Sequence, residues 1–527
     1  MSKYDKYLSG IFSDDNFYKT GNELNQILQR KFQITSSNAR KVISRATSKG
    51  TIKSSHPITF GNGQYVYFNN KSSLSMNVIK EISKKNRPPV YHLLNLLESN
   101  EGIISYYEGL KITASPLRKD KEKSNTLNEI LYMLKYLGVI ETKKDIGITY
   151  IFLSSVKNNV ISLMYHHKNN MVMDCFFIPD IRGWLIKHNF IDNKYVVYRN
   201  QNSPSKGGEH NNYIWDAFGY TNTTGYNTVL GNSVERDEKK TLVVLDIVIH
   251  RSYMSCDVQG FLRRVQAVRS SATKERKILP VAVYQEISAH AYSQLKTLGF
   301  IMLNLGTIFG ENIYPIIQKI KEIKSSIQFE WGTPEEIVEN VDATLFEMEE
   351  SGQSINLGNM KGDLFEVLMY PLIKLIHPNA SIERGKVLKR TENDGTHREY
   401  EYDVIVRDFQ NEEIIIYEFK GRKSHIEIPL NPYDKPHTVK WFFNTTLPFA
   451  REELQKQNSF PVKGCYITTA KFSSDALKVL NEINTHKNVK PETHDVFYDG
   501  GKLLKLLEDA RETHTINVLK KYYIHEE

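Results

Sequence analysis

The stretch "IIIYEFKGRK", Ile414 to Lys423, decides how the last third of this 527-residue chain is read. Three isoleucines and a tyrosine in a row are the pattern of a strand buried on both faces. The run closes on an acid and an amine two residues apart. Side chains alternate along a strand, so Glu418 and Lys420 point the same way at the mouth of the core.

Working outward, "REYEYDVIVRD" (398–408) alternates like a strand and carries Asp403, and "NEEI" after Phe409 makes a turn. An antiparallel pairing then brings Asp403 beside Glu418 and Lys420. Upstream, "KGDLFEVLMYPLIKLI" (361–376) reads as a helix that projects Glu366 from an apolar face of Leu364, Phe365, Leu368 and Met369; Asp363 and Glu383 compete for the same role. Two carboxylates on adjacent strands form a hard-oxygen site for Mg²⁺, which prefers one or two carboxylates, waters and a phosphate oxygen. A cation there stabilises charge on a scissile phosphate and acidifies a bound water. A lysine one strand step away orients that water or neutralises developing charge. Hydrolysis of a phosphodiester is the reaction such parts serve.

The order Glu366, Asp403, Glu418-x-Lys420 resembles the PD-(D/E)xK nuclease superfamily, and two later segments resemble its Mrr-type restriction endonuclease branch. "GCYITTAKFSSDALKVL" (464–480) is similar to that branch's strand-Thr-Thr-x-x-Phe-Ser-x-x-Ala-helix segment, and "HDVFYDGGKLLKLL" (494–507) to its strand followed by Asp-Gly-x-x-Leu. The resemblance covers about residues 360–510. It implies a three-layer α/β/α core and metal-dependent cleavage of nucleic acid, often duplex DNA. Asp403 and Glu418 would be ligands to Mg²⁺ or Mn²⁺, and Asp403, Glu418, Lys420 and Glu366 the catalytic set. Tyr402 stands where the motif's name has proline, and the segment 424–450 is longer and more aromatic than a minimal core. Within it Lys440 is a candidate for lining the cleft, and Trp441 and Phe442 for helix packing.

The middle of the chain follows the same plan with one loss. "NYIWDAFGY" places Asp216 as Asp403 is placed, "VVLDIVIH" puts Asp246 at the position of Glu418, and Val248 takes the lysine position. A valine donates no proton, so this degenerate second site is expected to be inactive. The alternatives are a DNA-binding or pseudo-dimer partner of the active half, or an unrelated α/β domain. Its helix "GFLRRVQAVRSSATKERK" offers Arg263, Arg264 and Arg269 to phosphates.

The first 75 residues read as helices followed by a hairpin turning at Asn62-Gly63, the pattern of a winged helix. Its recognition helix would present Asn38, Arg40, Lys41, Arg45 and Lys49 to DNA. After a polar joint, "SKKNRPPV", residues 86–155 repeat the pattern, with a hairpin at Gly147 and a basic loop "SPLRKDKEK". The expected architecture is therefore a multi-domain α/β chain. Two small winged-helix (α+β) domains (1–75, 86–155) precede two α/β/α restriction-endonuclease-like domains (156–325, inactive, and 355–527, catalytic), joined by a helical linker at 326–354.

Bulk properties agree with this reading. A formal charge of +8 leans toward a polyanionic partner. The cysteines, Cys175, Cys256 and Cys465, lie too far apart for a zinc module and are expected as reduced core thiols. No apolar run approaches the ~18 residues a membrane helix needs, and "MSKYDKYLSG" has no apolar leader, so a cytoplasmic protein is expected. No G-x-x-x-x-G-K-[ST] is present, so an ATP-dependent motor would be a separate partner. The pair His166-His167 is expected at the surface. The expected function is a Mg²⁺-dependent endonuclease acting on duplex DNA, monomeric or as a homodimer, in restriction or anti-phage defence. The rival readings are a DNA-bound scaffold with a non-catalytic core and an RNA-cleaving effector.

Overall fold

The computed structural model describes residues 2–524 except 13–17, 62, 72–73, 118–126, 146, 193–196, 201–202, 222–240, 272–276, 327–332, 354–356, 392–396, 422–426, 431–437 and 457–458. Asn62 of the expected turn and most of the basic loop at 115–123 therefore lie outside the described residues.

The chain opens with α1 (Lys3–Gly10), β1 (Tyr18–Thr20), α2 (Gly21–Phe32), α3 (Ser36–Ser48), β2 (Ile52–Ser54) and β3 (Val66–Asn69). Thr20 and Glu23 cap α2 reciprocally, and the Thr35 hydroxyl accepts the Asn38 N–H at the start of α3. Leu24 and Leu28 then meet Ala39, Ile43 and Ala46 in a small core. The sheet runs β1-β3-β2. β3 pairs with Ile52–Ser54 and not with the run just before Asn62, so the hairpin is wider than its turn sequence implies.

Next come α4 (Met76–Asn86), α5 (Pro88–Ser99), β4 (Ile103–Ser105), α6 (Tyr106–Thr113), α7 (Leu127–Tyr136), β5 (Ile140–Asp145) and β6 (Ile148–Leu153). From α5 onward the element order repeats the first unit, and the sheet again runs first-third-second, β4-β6-β5. The expected joint at "SKKNRPPV" is the end of α4 and the start of α5, and Ile79 and Ile82 of α4 are buried in the core of this second unit.

The middle unit comprises α8 (Val160–Phe176), α9 (Ile178–Lys187), β7 (Val197–Tyr198), β8 (Gly208–His210), β9 (Tyr213–Trp215), β10 (Ala217–Thr221), β11 (Thr241–Tyr253), α10 (Ser255–Ser271), β12 (Ile278–Ile287), α11 (Ala289–Leu298), β13 (Ile301–Asn304), α12 (Leu305–Phe309) and α13 (Ile313–Ser326). The last comprises α14 (Pro334–Glu350), α15 (Gly358–Ile376), β14 (Ser381–Thr391), β15 (His397–Asp408), β16 (Glu413–Lys420), α16 (Val439–Trp441), α17 (Leu447–Leu454), β17 (Val462–Thr468), α18 (Ser474–Ile483), β18 (Phe497–Tyr498), α19 (Gly500–Asp509) and α20 (Thr513–Tyr522).

The two units carry the same sheet. Five strands run β7-β10-β11-β12-β13 in one and β14-β15-β16-β17-β18 in the other. In each, the first three pair antiparallel and the last three parallel. Alternation assigns the faces. Leu245, Ile247 and Ile249 of β11 and Ile415, Tyr417 and Phe419 of β16 enter one continuous core with α9, α13, α14, α15 and α20. On the opposite faces, Val244 and Val248 pack with Phe261 and Val265 of α10, and Ile414 and Ile416 with Phe442 and Leu447. The molecule is thus a multi-domain α/β protein whose two five-stranded sheets share a helical layer. Helix α14, expected as a linker, belongs to that layer: Ile337, Val338, Val341, Leu345 and Met348 are all buried. At about 1.5–3 kcal/mol per buried side chain, such a helix is held in place and does not swing as a spacer.

The cysteines are buried and not joined in disulfides, as expected. No helix among the described residues is long and apolar enough to cross a membrane.

Candidate active site and its sealed counterpart

β15 and β16 pair with Val404 opposite Tyr417, which sets Asp403 opposite Glu418. The Phe419 N–H donates to Asp403 Oδ2 at 2.7 Å and fixes that carboxylate. Lys420 Nζ lies 2.7 Å from Glu418 Oε1 and 3.5 Å from Asp403 Oδ2. The three side chains keep 11–18% of their surface open to solvent, enough for access and too little for full hydration. On the other edge β17 pairs in parallel, and Thr468 Oγ1 donates to the Lys420 carbonyl at 2.8 Å. Helix α15 runs close against the end of β16. A Cβ at Gly421 would lie 2.8 Å from Phe365 Cβ, so only glycine admits the approach that brings Asp363 and Glu366 to the rim.

The electrostatics of this rim are out of balance. Asp403 acts on Asp363, Glu366 and Glu418, Glu401 adds to the charge on Asp363 and Glu418, and Lys420 and Arg384 are cations that oppose them. Burial and then Asp403 push the Glu418 carboxyl up to about 7, although Lys420 pulls the other way. Burial, Asp180 and Asp403 push Asp363 up to about 8. Glu366 is driven well above the usual carboxylate range by burial, Asp403 and Asp363. Against its own burial, Lys420 is held charged by Asp403 and Glu418. Acids thus outnumber cations at this rim. Glu383, the other competitor for the helix acid, pairs instead with Arg407 at 2.7 Å and Lys386 at 3.1 Å. Lys440 sits partly exposed on α16, and Phe442 packs in the core as expected.

The middle sheet reproduces the register but pairs its acids with buried cations. Ala217 pairs with Leu245, so Asp216 faces Asp246. The Ile247 N–H donates to Asp216 Oδ2 at 2.7 Å, the counterpart of the Phe419 bond to Asp403. Val248 is buried at the lysine position. The amine comes from another unit: Lys111 of α6 lies 2.5 Å from Asp216 Oδ2 and 3.1 Å from Asp246 Oδ1. Arg199 Nε adds a contact to Asp216 at 3.1 Å, and Arg264 Nη2 one to Asp246 at 2.6 Å. Tyr107 and Tyr253 hydroxyls donate to Asp216 and Asp246, each at 2.8 Å. Helix α6 reaches this close because α10 has Gly260, whose added Cβ would lie 2.6 Å from the Lys111 carbonyl. Arg199 Nη2 also reaches Asp174, 4% exposed, at 3.3 Å, so three buried acids and three cations meet here. Although burial would raise it, Asp246 is held far below the usual carboxylate range by Lys111 and Arg264.

Three sequence expectations change here. Arg264, expected to meet DNA phosphates, is 1% exposed and committed to Asp246. Arg263 is half-buried and close to His92, which burial and that guanidinium push down to about 4; Arg269 alone of the three is exposed. His167, expected at the surface, is buried between Glu108 (2.6 Å) and Asn100 (3.0 Å), while His166 is exposed. Lys111, Tyr107, Arg199 and Arg384 carry no signal in the sequence that marks them for these sites.

On the first unit, Asn38, Arg40, Lys41 and Arg45 are exposed on α3 and Lys49 is exposed at its C-terminal cap, 3.4 Å from Asp5. An open groove beside that helix is lined by Arg40, Ser44, Thr47, Lys53, Gln64 and Tyr65 among others.

Comparisons of the chain with protein-family models, curated proteins and solved structures returned no match.

Proposed function

We propose that this chain is a divalent-cation-dependent endonuclease acting on duplex DNA, with the rim of β15 and β16 as its active centre. The observation that carries the reading is the contrast between two equivalent registers. Asp403, Glu418 and Lys420 meet at a solvent-accessible rim where acids outnumber cations, whereas Asp216 and Asp246 are sealed and paired with buried cations. In this reading the two large units are PD-(D/E)xK-type α/β/α cores, supported by the shared strand order. The two small ones are winged helices, supported by their common helix-strand-helix-helix-strand-strand order.

The donor set fits a hard cation. Among the described residues no group of three or more His, Cys, Asp or Glu side chains is arranged as a metal shell. Asp403 and Glu418 would hold Mg²⁺ or Mn²⁺ through carboxylate oxygens, with water and a phosphate oxygen completing the shell. When bound, such an ion stabilises charge on the phosphoryl group and acidifies a water. Lys420, pinned between the two acids, holds its ammonium where charge develops on the phosphate oxygens. Glu366 and Asp363, both pushed above the usual carboxylate range, sit beside the reacting centre. A place in restriction or anti-phage defence, alone, as a homodimer or with an ATP-dependent partner, is part of the proposal.

The test is incubation of supercoiled plasmid, linear duplex, single-stranded DNA and RNA with the protein in Mg²⁺ and in chelator. Chelator-sensitive cutting of duplex DNA is the expected result. Cutting of RNA alone would move the substrate, and binding without cutting would leave a scaffold. The first unit makes a separate prediction. Neutralising Arg40, Lys41 and Arg45 together should weaken duplex binding and flatten the slope of log K against log salt by about 0.9 for each phosphate that is no longer neutralised. An unchanged slope in a fluorescence-anisotropy titration would turn that helix toward a protein.

A further inference from the structure

We infer that one chain cuts one strand of a duplex per engagement, leaving a nick. The inference rests on the endonuclease reading above and adds the form of its product.

A core with one acid-acid-lysine rim hydrolyses one phosphodiester. The oxygen of water bonds to phosphorus as a bridging P–O bond breaks, and the departing sugar oxygen takes a proton. A phosphate monoester and a hydroxyl result on that strand, and the other strand is untouched. A double-strand cut needs a second competent core held against the first. In this chain the position beside the active core is already filled by the middle unit. Leu245, Ile247 and Ile249 of β11 and Ile415, Tyr417 and Phe419 of β16 lie in one apolar core, so the two sheets form a fixed pair. The pairing extends to the site: Asp180 of α9 accepts the N–H groups of Asn359 and Met360, each at 3.2 Å, and so caps the start of α15, the helix that carries Glu366.

That built-in neighbour is silent for reasons that a bound duplex does not reverse. Val248 supplies no amine. The lysine that does reach the acids, Lys111, is tied to both and arrives from a different unit, and Arg199 and Arg264 occupy further carboxylate oxygens. Asp216 is 0% and Asp246 1% exposed, so neither phosphate nor hydrated cation reaches them. The active core therefore comes with a partner that braces it and does not cut.

The test is a time course on supercoiled plasmid with Mg²⁺ and limiting protein, resolved by gel. Nicked circles should form first, at a rate proportional to protein concentration. Linear DNA should appear only after the supercoiled form is consumed, when independent nicks happen to lie close on opposite strands. Linear product rising alongside nicked circles while supercoiled DNA remains would overturn the inference and show two chains cutting together. Absence of both products in every divalent cation would overturn the endonuclease reading and this inference with it. Asp403→Asn run in parallel should give no nicked circles above the protein-free control.

Discussion

Lys420→Met should lower the rate of phosphodiester cleavage by at least about 10²–10³-fold, the usual cost of removing one preorganised charge from a reacting centre, while duplex affinity stays within about twofold. Lys420 sits 2.7 Å from Glu418 and is only 17% exposed, so its charge acts in a poorly screened setting. In the endonuclease reading its loss removes a charge beside the phosphate, and it also leaves Glu418 and Glu366 without a cation that now opposes their protonation. Both effects fall on the reacting centre and neither on α3, where the cations assigned to DNA binding are carried. Single-turnover cleavage and equilibrium binding, measured separately, distinguish the cases. Equal loss in both would make the lysine a structural ion pair.

The second large effect is on stability and comes from the sealed site. Asp216→Asn should destabilise the protein by about 3–5 kcal/mol, the usual cost of breaking a buried ion pair and stranding its partner. The amide keeps an acceptor for the Ile247 N–H but presents no charge to Lys111 and Arg199, leaving three buried cations against Asp246 and Asp174. Asp403→Asn makes the same chemical change at the equivalent register and should leave the unfolding midpoint nearly unchanged or slightly raised, since it relieves repulsion among the rim acids. Denaturant unfolding of the two variants side by side reads the difference. Similar midpoints would mean that the Lys111 contacts do not hold the second unit to the middle one.

What the sequence reveals about these sites follows from the range of each signal. The orientation of Glu418 and Lys420 needs only strand alternation, and the pairing of Asp403 with Glu418 needs only a short turn after Asp408, so both are legible locally. The same holds for Asp216 and Asp246, whose register is readable across the long interval because the apolar runs on either side are strong. Lys111 is different. It lies 105 residues from Asp216, and its contact exists only because α6 docks on α10 through Gly260, a packing event with no local signature. The burial of Arg264 has none either: positions 264 and 269 flank the inward stripe of Phe261, Val265 and Val268 at similar angles, and Arg264 lies on the side that α6 covers at Gly260. The glutamates of α14 mask its role in the shared layer, although Ile337, Val341, Leu345 and Met348 form an inward stripe. β1, three residues long, is too short for any periodicity to show.

Both large predictions depend on the acids at the β15–β16 rim outnumbering their cations and those between β10 and β11 being paired with buried cations. Mn²⁺ titration followed by the resonance of the unbound ion tests this most directly, on wild type and Asp403→Asn at pH 6 and pH 8. Protons and metal compete for the same oxygens, and Glu418 and Asp363 lose their protons near 7 and 8, so affinity should climb through that interval and level off above it. About one ion bound per wild-type chain at pH 8, weaker binding at pH 6, and none held by Asp403→Asn is the predicted result. Equal binding by Asp403→Asn, or equal affinity at the two pH values, would contradict it.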